Sequence, residues 1–175
     1  VPPEDAVPFE LPEDLHPTLM PVAWLVGQWA GAGVIGYPTM ESDLQFGQEV
    51  SFRHDGRPFL SYTSLTWLLD EAGEKVRPLA SEAGYWRVGP GDSAATDLEV
   101  LLTHPSGFVE IFVGQADGAR VDLATDLVAR TATAKEYTSA KRMYGLVEGD
   151  LMWVMEMSAM GHALAPHASA RLKRL

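Results

Sequence analysis

From Gly27 to the carboxy terminus, short runs rich in β-branched and aromatic residues recur, and this pattern constrains the fold more than any other feature of the chain. The runs occupy residues 48–53, 59–68, 84–88, 98–103, 108–113, 121–127, 142–147, 151–157 and 168–172. Turn signals separate them: Asp55-Gly56, Ala72-Gly73, Gly89-Pro90-Gly91, Pro105-Ser106-Gly107, Asp117-Gly118 and Glu148-Gly149-Asp150. Strands of this length, with hardly a helical segment between them, predict an antiparallel meander. Left open, so long a meander exposes two edges. The pattern therefore predicts an all-β, closed antiparallel up-and-down barrel, with a two-sheet sandwich as the alternative.

Residues 1–21 read differently. They carry six prolines and five acidic residues with no Lys or Arg, too little apolar surface to offset the entropy of ordering. This divides the chain into an acidic, Pro-rich arm over 1–21, flexible or strapped across the body, and a barrel domain over 22–175. One short helix is expected within 17–27, with Pro21 in its first turn and Gly27 ending it.

Composition removes several function classes. With no cysteine there is no disulfide framework, thiolate zinc site, iron–sulfur cluster or c-type haem attachment. A reducing cytoplasm is the compartment this suggests. A net charge of -11 repels phosphate backbones and anionic lipid heads, so neither nucleic acid nor membrane is an expected partner. No apolar run approaches the ~20 residues that span a bilayer, and the amino terminus lacks the pattern of a secretory signal.

Alternation assigns faces in some strands. Val50 and Phe52 alternate with Glu49, Ser51 and Arg53, and Leu151, Trp153, Met155 and Met157 share one face of a later strand. Five of the seven methionines (Met143, Met152, Met155, Met157 and Met160) fall in the late stretch, either as ordinary core or as an adaptable wall around a bulky apolar ligand.

Few residues carry a chemical signature. The string Gly27-Gln28-Trp29-Ala30-Gly31-Ala32-Gly33 is not a dinucleotide fingerprint, because strands rather than a helix follow it. A tryptophan among Gly27, Gly31 and Gly33 suits a barrel end, the indole plugging the base while bare backbone passes close to a neighbour. No nucleophile elbow and no HExxH spacing occurs, and Glu41 and Asp43 read as a solvated face. His16, His54 and His104 are expected to be exposed or structural. His162 and His167 flank Ala163 to Pro166 before the last run, where an imidazole can meet a ligand or metal.

Five strings in order now matter: GQWAGAG, Gly36-Tyr37-Pro38-Thr39, PLASEAGYWR from Pro78, Thr133-Ala134-Lys135-Glu136 and the terminal MSAMGHALAPHASARLKR. Together they resemble the nitrobindin family. The resemblance implies a barrel of about ten strands, similar to lipocalins and fatty-acid-binding proteins, holding ferric haem b by one histidine. It implies nitric oxide binding and isomerisation of peroxynitrite to nitrate. On the Leu-x-Pro-His pattern the axial ligand maps to His167, not His162, and Thr39 and Lys135 map near the haem or the barrel mouth. A homodimer is a further expectation.

Two features pull against this. Ala80 stands where many relatives carry a histidine near the haem, which also fits a branch that has given up haem. And strict period two puts His167 on one face with Ser169, Arg171 and Lys173, opposite Ala168, Ala170 and Leu172. Either the interior is polar there, with Arg171 lining the cavity, or a bulge near Pro166 resets the register. The first is the preferred expectation. The competing function is a haem-free barrel carrying a small apolar ligand such as a fatty acid, gripped by Arg171 and the methionines.

Overall fold

The computed structural model describes residues 7–89 and 94–175. A 3₁₀ helix, Pro17–Leu25, precedes ten strands: β1 (Gly27–Ile35), β2 (Leu44–Arg53), β3 (Phe59–Leu69), β4 (Lys75–Val88), β5 (Thr96–His104), β6 (Phe108–Asp117), β7 (Arg120–Arg130), β8 (Tyr137–Val147), β9 (Asp150–Ala159) and β10 (Ala165–Arg174). Each strand pairs antiparallel with its sequence neighbours, and β1 closes on β10 from Trp29↔Arg174 to Ile35↔Ala168. The barrel thus removes both sheet edges, as the meander required. Pro90 and Gly91, read as part of a turn, lie outside the described residues.

One end of the barrel is solid. Trp29, Phe52, Leu60, Trp86, Val100, Phe112, Leu151 and Leu172 fill it, and the helix caps it with Leu19, Val22 and Leu25. Pro17 opens the helix at a position where its missing N–H costs nothing. Leu19, within the stretch read as the arm, is fully buried against the core. Of the arm, Leu15 packs on the core and Phe9 lies under the Arg174 guanidinium; residues 1–6 lie outside the described residues.

Trp29 is the expected plug, its Nε1 donating to Leu25 O at 2.9 Å while Arg174 stacks on its ring at 4.1 Å. The glycines beside it serve close approach. A Cβ on Gly33 would fall 2.1 Å from Ser169 O and 2.7 Å from the Phe46 ring. Gly33→Ala must therefore push β1 off β10. We expect a loss of about 1–3 kcal/mol, read as a lower urea midpoint, with an unchanged midpoint as the contrary result.

The other end splays. β4 pairs with β5 only over Ala83–Val88, leaving Lys75–Glu82 without a β5 partner. β7 meets β8 only from Arg120 to Ala124. β4 begins nine residues before its sequence run at Gly84 because Lys75–Ala80 pairs with β3, and Pro78, which cannot donate to a ladder, sits where β4 has no β5 partner.

Candidate functional site

The splayed strands enclose a cavity of about 1200 Å³, above the ~300–1,000 Å³ of most small-molecule pockets. Ile35, Phe46, Tyr62, Leu79, Phe108, Tyr144, Trp153, Met155 and Met157 supply its apolar surface, and it opens beside the unpaired half of β4 and the Pro105-Ser106 turn. Met160 joins the lining, whereas Met143 and Met152 point to solvent, so the methionine group is part wall and part outer face.

His167 faces this cavity because of a bulge. The β10–β9 register slips between Pro166 and Ala168, so His167 and Ala168 both turn inward, while Ala170 and Leu172 remain inside as alternation requires. The preferred alternative, a polar interior with Arg171 in the lining, is corrected. Arg171 lies on the outer face, its guanidinium donating to Asp150 at 2.6 Å and Glu148 at 3.1 Å. A cation at that parity finds its carboxylates on the outer face.

The imidazole is oriented from behind. Gly36 N–H donates to His167 O at 2.8 Å, and His167 Nδ1 lies 3.0 Å from Gly36 O. With the proton on Nδ1, shared with that carbonyl, Nε2 keeps its lone pair for the cavity. Burial pushes the His167 pKa down, against the opposing effect of the Gly36 bond, and the Arg142 charge adds to the lowering. Both favour the neutral ring that binds metal. Tyr37 holds the ring edge-on at 5.7 Å, its own hydroxyl bridging Met157 O and the Ala159 backbone. His162 packs against the same Tyr37 but is exposed and lies outside the cavity lining.

Thr39 is exposed on the β1–β2 connection, outside the lining; Lys135 does line the cavity, and its ammonium makes no ion pair among the described residues. Ala80 presents only a methyl group to the cavity, its backbone bonded to Thr66 Oγ1 at 3.0 Å. His16 and His54 are half-buried, each accepting a bond from the backbone N–H two residues on.

His104 is not exposed. It stacks on Phe108 at 3.9 Å within a buried polar cluster that the sequence reading missed. Arg142 donates to both oxygens of Glu82, at 2.7 and 2.9 Å, and stands 3.5 Å from Glu110. His104 Nε2 lies 3.1 Å from Glu110 and Nδ1 3.7 Å from Glu82. Tyr62 donates to Glu82 at 2.6 Å and Tyr137 to Glu110 at 2.5 Å. Burial alone would raise the Glu82 pKa, but Arg142, then His104 and Tyr62, overcome it and hold the carboxyl at about 2.

That shift makes a prediction about acid. The unfolded chain protonates Glu82 near 4.5, so its contribution is complete above that pH and disappears as pH falls through about 2. A loss on the order of 3 kcal/mol across this window should appear in urea titrations, and Glu82→Gln should flatten it. Equal slopes for the two proteins would contradict the assignment.

Fold and site together define a β-barrel around a ligand-sized cavity, with the His167 imidazole oriented in its wall by Gly36. The chain belongs to the THAP4-like, heme-binding beta-barrel domain family, whose model matches residues 18–174. The ferric nitrobindin-like protein of Kineococcus radiotolerans is 55% identical, over 90% of this chain and 93% of that protein. A peroxynitrite isomerase of Nocardioides sp. is 52% identical, over 96% and 99% respectively. Among solved structures, Rv2717c from M. tuberculosis superposes with a TM-score of 0.79 at 37% identity, covering 92% of this chain and 99% of that one. These matches bear out the nitrobindin resemblance. No helix among the described residues is long and apolar enough to cross a membrane.

Proposed function

We propose that the chain binds ferric haem b through His167 and, so loaded, binds nitric oxide and converts peroxynitrite to nitrate. The observation that carries this reading is the Gly36–His167 clamp in the wall of a cavity of ligand size; with the proton on Nδ1, it leaves Nε2 free to ligate. A carbonyl behind a ligating imidazole fixes its tautomer and raises its basicity, as metal-bound histidines require. The donor set therefore suits a haem iron. When bound, ferric haem supplies a Lewis-acidic iron with one position open to a small anion.

The chain's own part is positioning and insulation. Phe46, Leu79, Phe108, Trp153 and Met155 offer an apolar surface that excludes water. Lys135 lines the cavity and makes no ion pair among the described residues, which supports a role in meeting a haem carboxylate. Thr39 joins this reading only through its match to the family motif. At position 80 the methyl offers no hydrogen bond to an iron-bound ligand, so less discrimination comes from that wall. The fatty-acid alternative loses its grip in this geometry: Arg171 is outside, and Arg142 is already held by Glu82 and Glu110.

Within the same reading the protein works in the cytoplasm and pairs with a second copy. Tyr85, Leu101, Ile111 and Leu127 form an outward apolar row in register across four strands, a charge-poor strip on a strongly acidic chain. Sedimentation of the purified chain tests the pairing. Titration with ferric haem tests the main reading: a shifted Soret band saturating at one haem per chain is expected. An unshifted spectrum at equal concentrations would reject it.

A further inference from the structure

The cavity keeps an expensive polar cluster that the proposed haem chemistry does not use. Two carboxylates, a guanidinium and an imidazole sit inside an apolar barrel, where well-packed apolar residues are often the more stable choice. What the cluster does achieve is particular. It places a carboxylate oxygen directly on the hydroxyl of two cavity tyrosines, Tyr62 on Glu82 at 2.6 Å and Tyr137 on Glu110 at 2.5 Å.

Tyr62 also belongs to a chain of electron-rich rings, and Tyr137 packs on Phe108 at 4.6 Å. Tyr62 lies 6.0 Å from Trp86, Trp86 lies 5.2 Å from Tyr144, and Tyr144 lies 6.5 Å from Trp153. Trp86 is 1% exposed, and its Nε1 has no partner among the described residues. A phenol gives up an electron far more readily when its proton has somewhere to go in the same step. The carboxylates supply that place, already hydrogen-bonded, on the acceptor side of each phenol.

We propose that Tyr62 and Tyr137 are one-electron donors that quench nitrogen-oxide radicals in this cavity. The co-reactant is the nitrogen dioxide radical. It takes one electron from the phenol and becomes nitrite; the phenol proton moves to the bonded oxygen of Glu82 or Glu110; a neutral tyrosyl radical remains. Charge and atoms balance, since the carboxylate loses its negative charge as nitrite gains one. The neighbouring rings Trp86 and Tyr144 share the oxidised state with Tyr62. Arg142 and His104 act as positioning residues, holding each carboxylate with one oxygen turned to its tyrosine.

The choice of radical rests on the nitrogen-oxide reading above, but the donor step needs no haem, so the two fail separately. The test uses the full chain without added haem, exposed to nitrogen dioxide radical generated by pulse radiolysis of nitrite. Exposed Tyr85 is replaced by phenylalanine beforehand, so that bulk reaction at the outer face is removed. The expected result is a tyrosyl absorption that forms more slowly in deuterated water. Tyr62→Phe and Tyr137→Phe should each reduce it, and the double variant should lose most of it. Peptide mass spectrometry should then locate nitration, the coupling product of a second radical, at residue 62 or 137. Circular dichroism confirms that the variants are folded. A tyrosyl signal undiminished in the folded double variant, or no solvent isotope effect, overturns the proposal. Failure of haem to bind in the separate titration would leave these outcomes untouched.

Discussion

His167→Ala should abolish the shifted Soret band and leave the barrel intact. The side chain sits at a bulge, is only partly buried, and makes one hydrogen bond, to Gly36 O, so its loss costs little in packing. Its loss from the cavity wall is complete by contrast: among the described residues His167 is the only histidine lining the cavity clear of the ion-paired cluster, since His104 is held between Glu82 and Glu110 and His162 is outside the lining. Ligation should fall by more than the about 10–100-fold typical of changes behind a ligand. Tyr37→Phe, which frees the hydroxyl clamp but keeps the edge-on ring, should fall within that smaller range. His162→Ala should bind as the native chain does. Imidazole added to His167→Ala should restore the band by occupying the vacated space. A native spectrum in His167→Ala without imidazole would remove His167 as the ligand.

The strands were legible because their alternation is dictated by burial, and a closed meander is the one way to satisfy ten of them without edges. The register at His167 was not. Period two gives His167 the parity of Arg171, and a single inserted residue breaks that link without a glycine to mark it. Pro166 was the available hint, because its missing N–H weakens the ladder where the slip occurs. The buried cluster has a clearer sign in the sequence. Glu110 shares its inward parity with Phe108 and Phe112, and Arg142 shares its own with Ala140 and Tyr144. A charge on the apolar face of a strand has to meet an opposite charge on another. Which strands meet is a property of closure, and Glu82 and Arg142 are 60 residues apart.

Arg142→Met should be the most destabilising single change in the cavity. The methionine fits the space over Phe112, where the guanidinium now lies 5.1 Å from the ring, so volume is largely conserved. The loss is electrostatic: Glu82 and Glu110 would remain buried with only His104 between them. Removing one partner of such a buried set costs about 3–5 kcal/mol, which for a chain of this size lowers the melting temperature by on the order of 10 °C. Adding Glu82→Gln and Glu110→Gln to Arg142→Met removes the stranded charges and should recover most of that loss. If the single variant melts with the native protein, the cluster is better hydrated than its burial indicates. The recovered triple variant has a second use. It keeps Tyr62 and Tyr137 in a folded barrel but replaces each carboxylate acceptor with an amide that cannot take a proton. Radical formation on those tyrosines should then fail although stability is restored, which separates what the cluster contributes to the fold from what it contributes to chemistry.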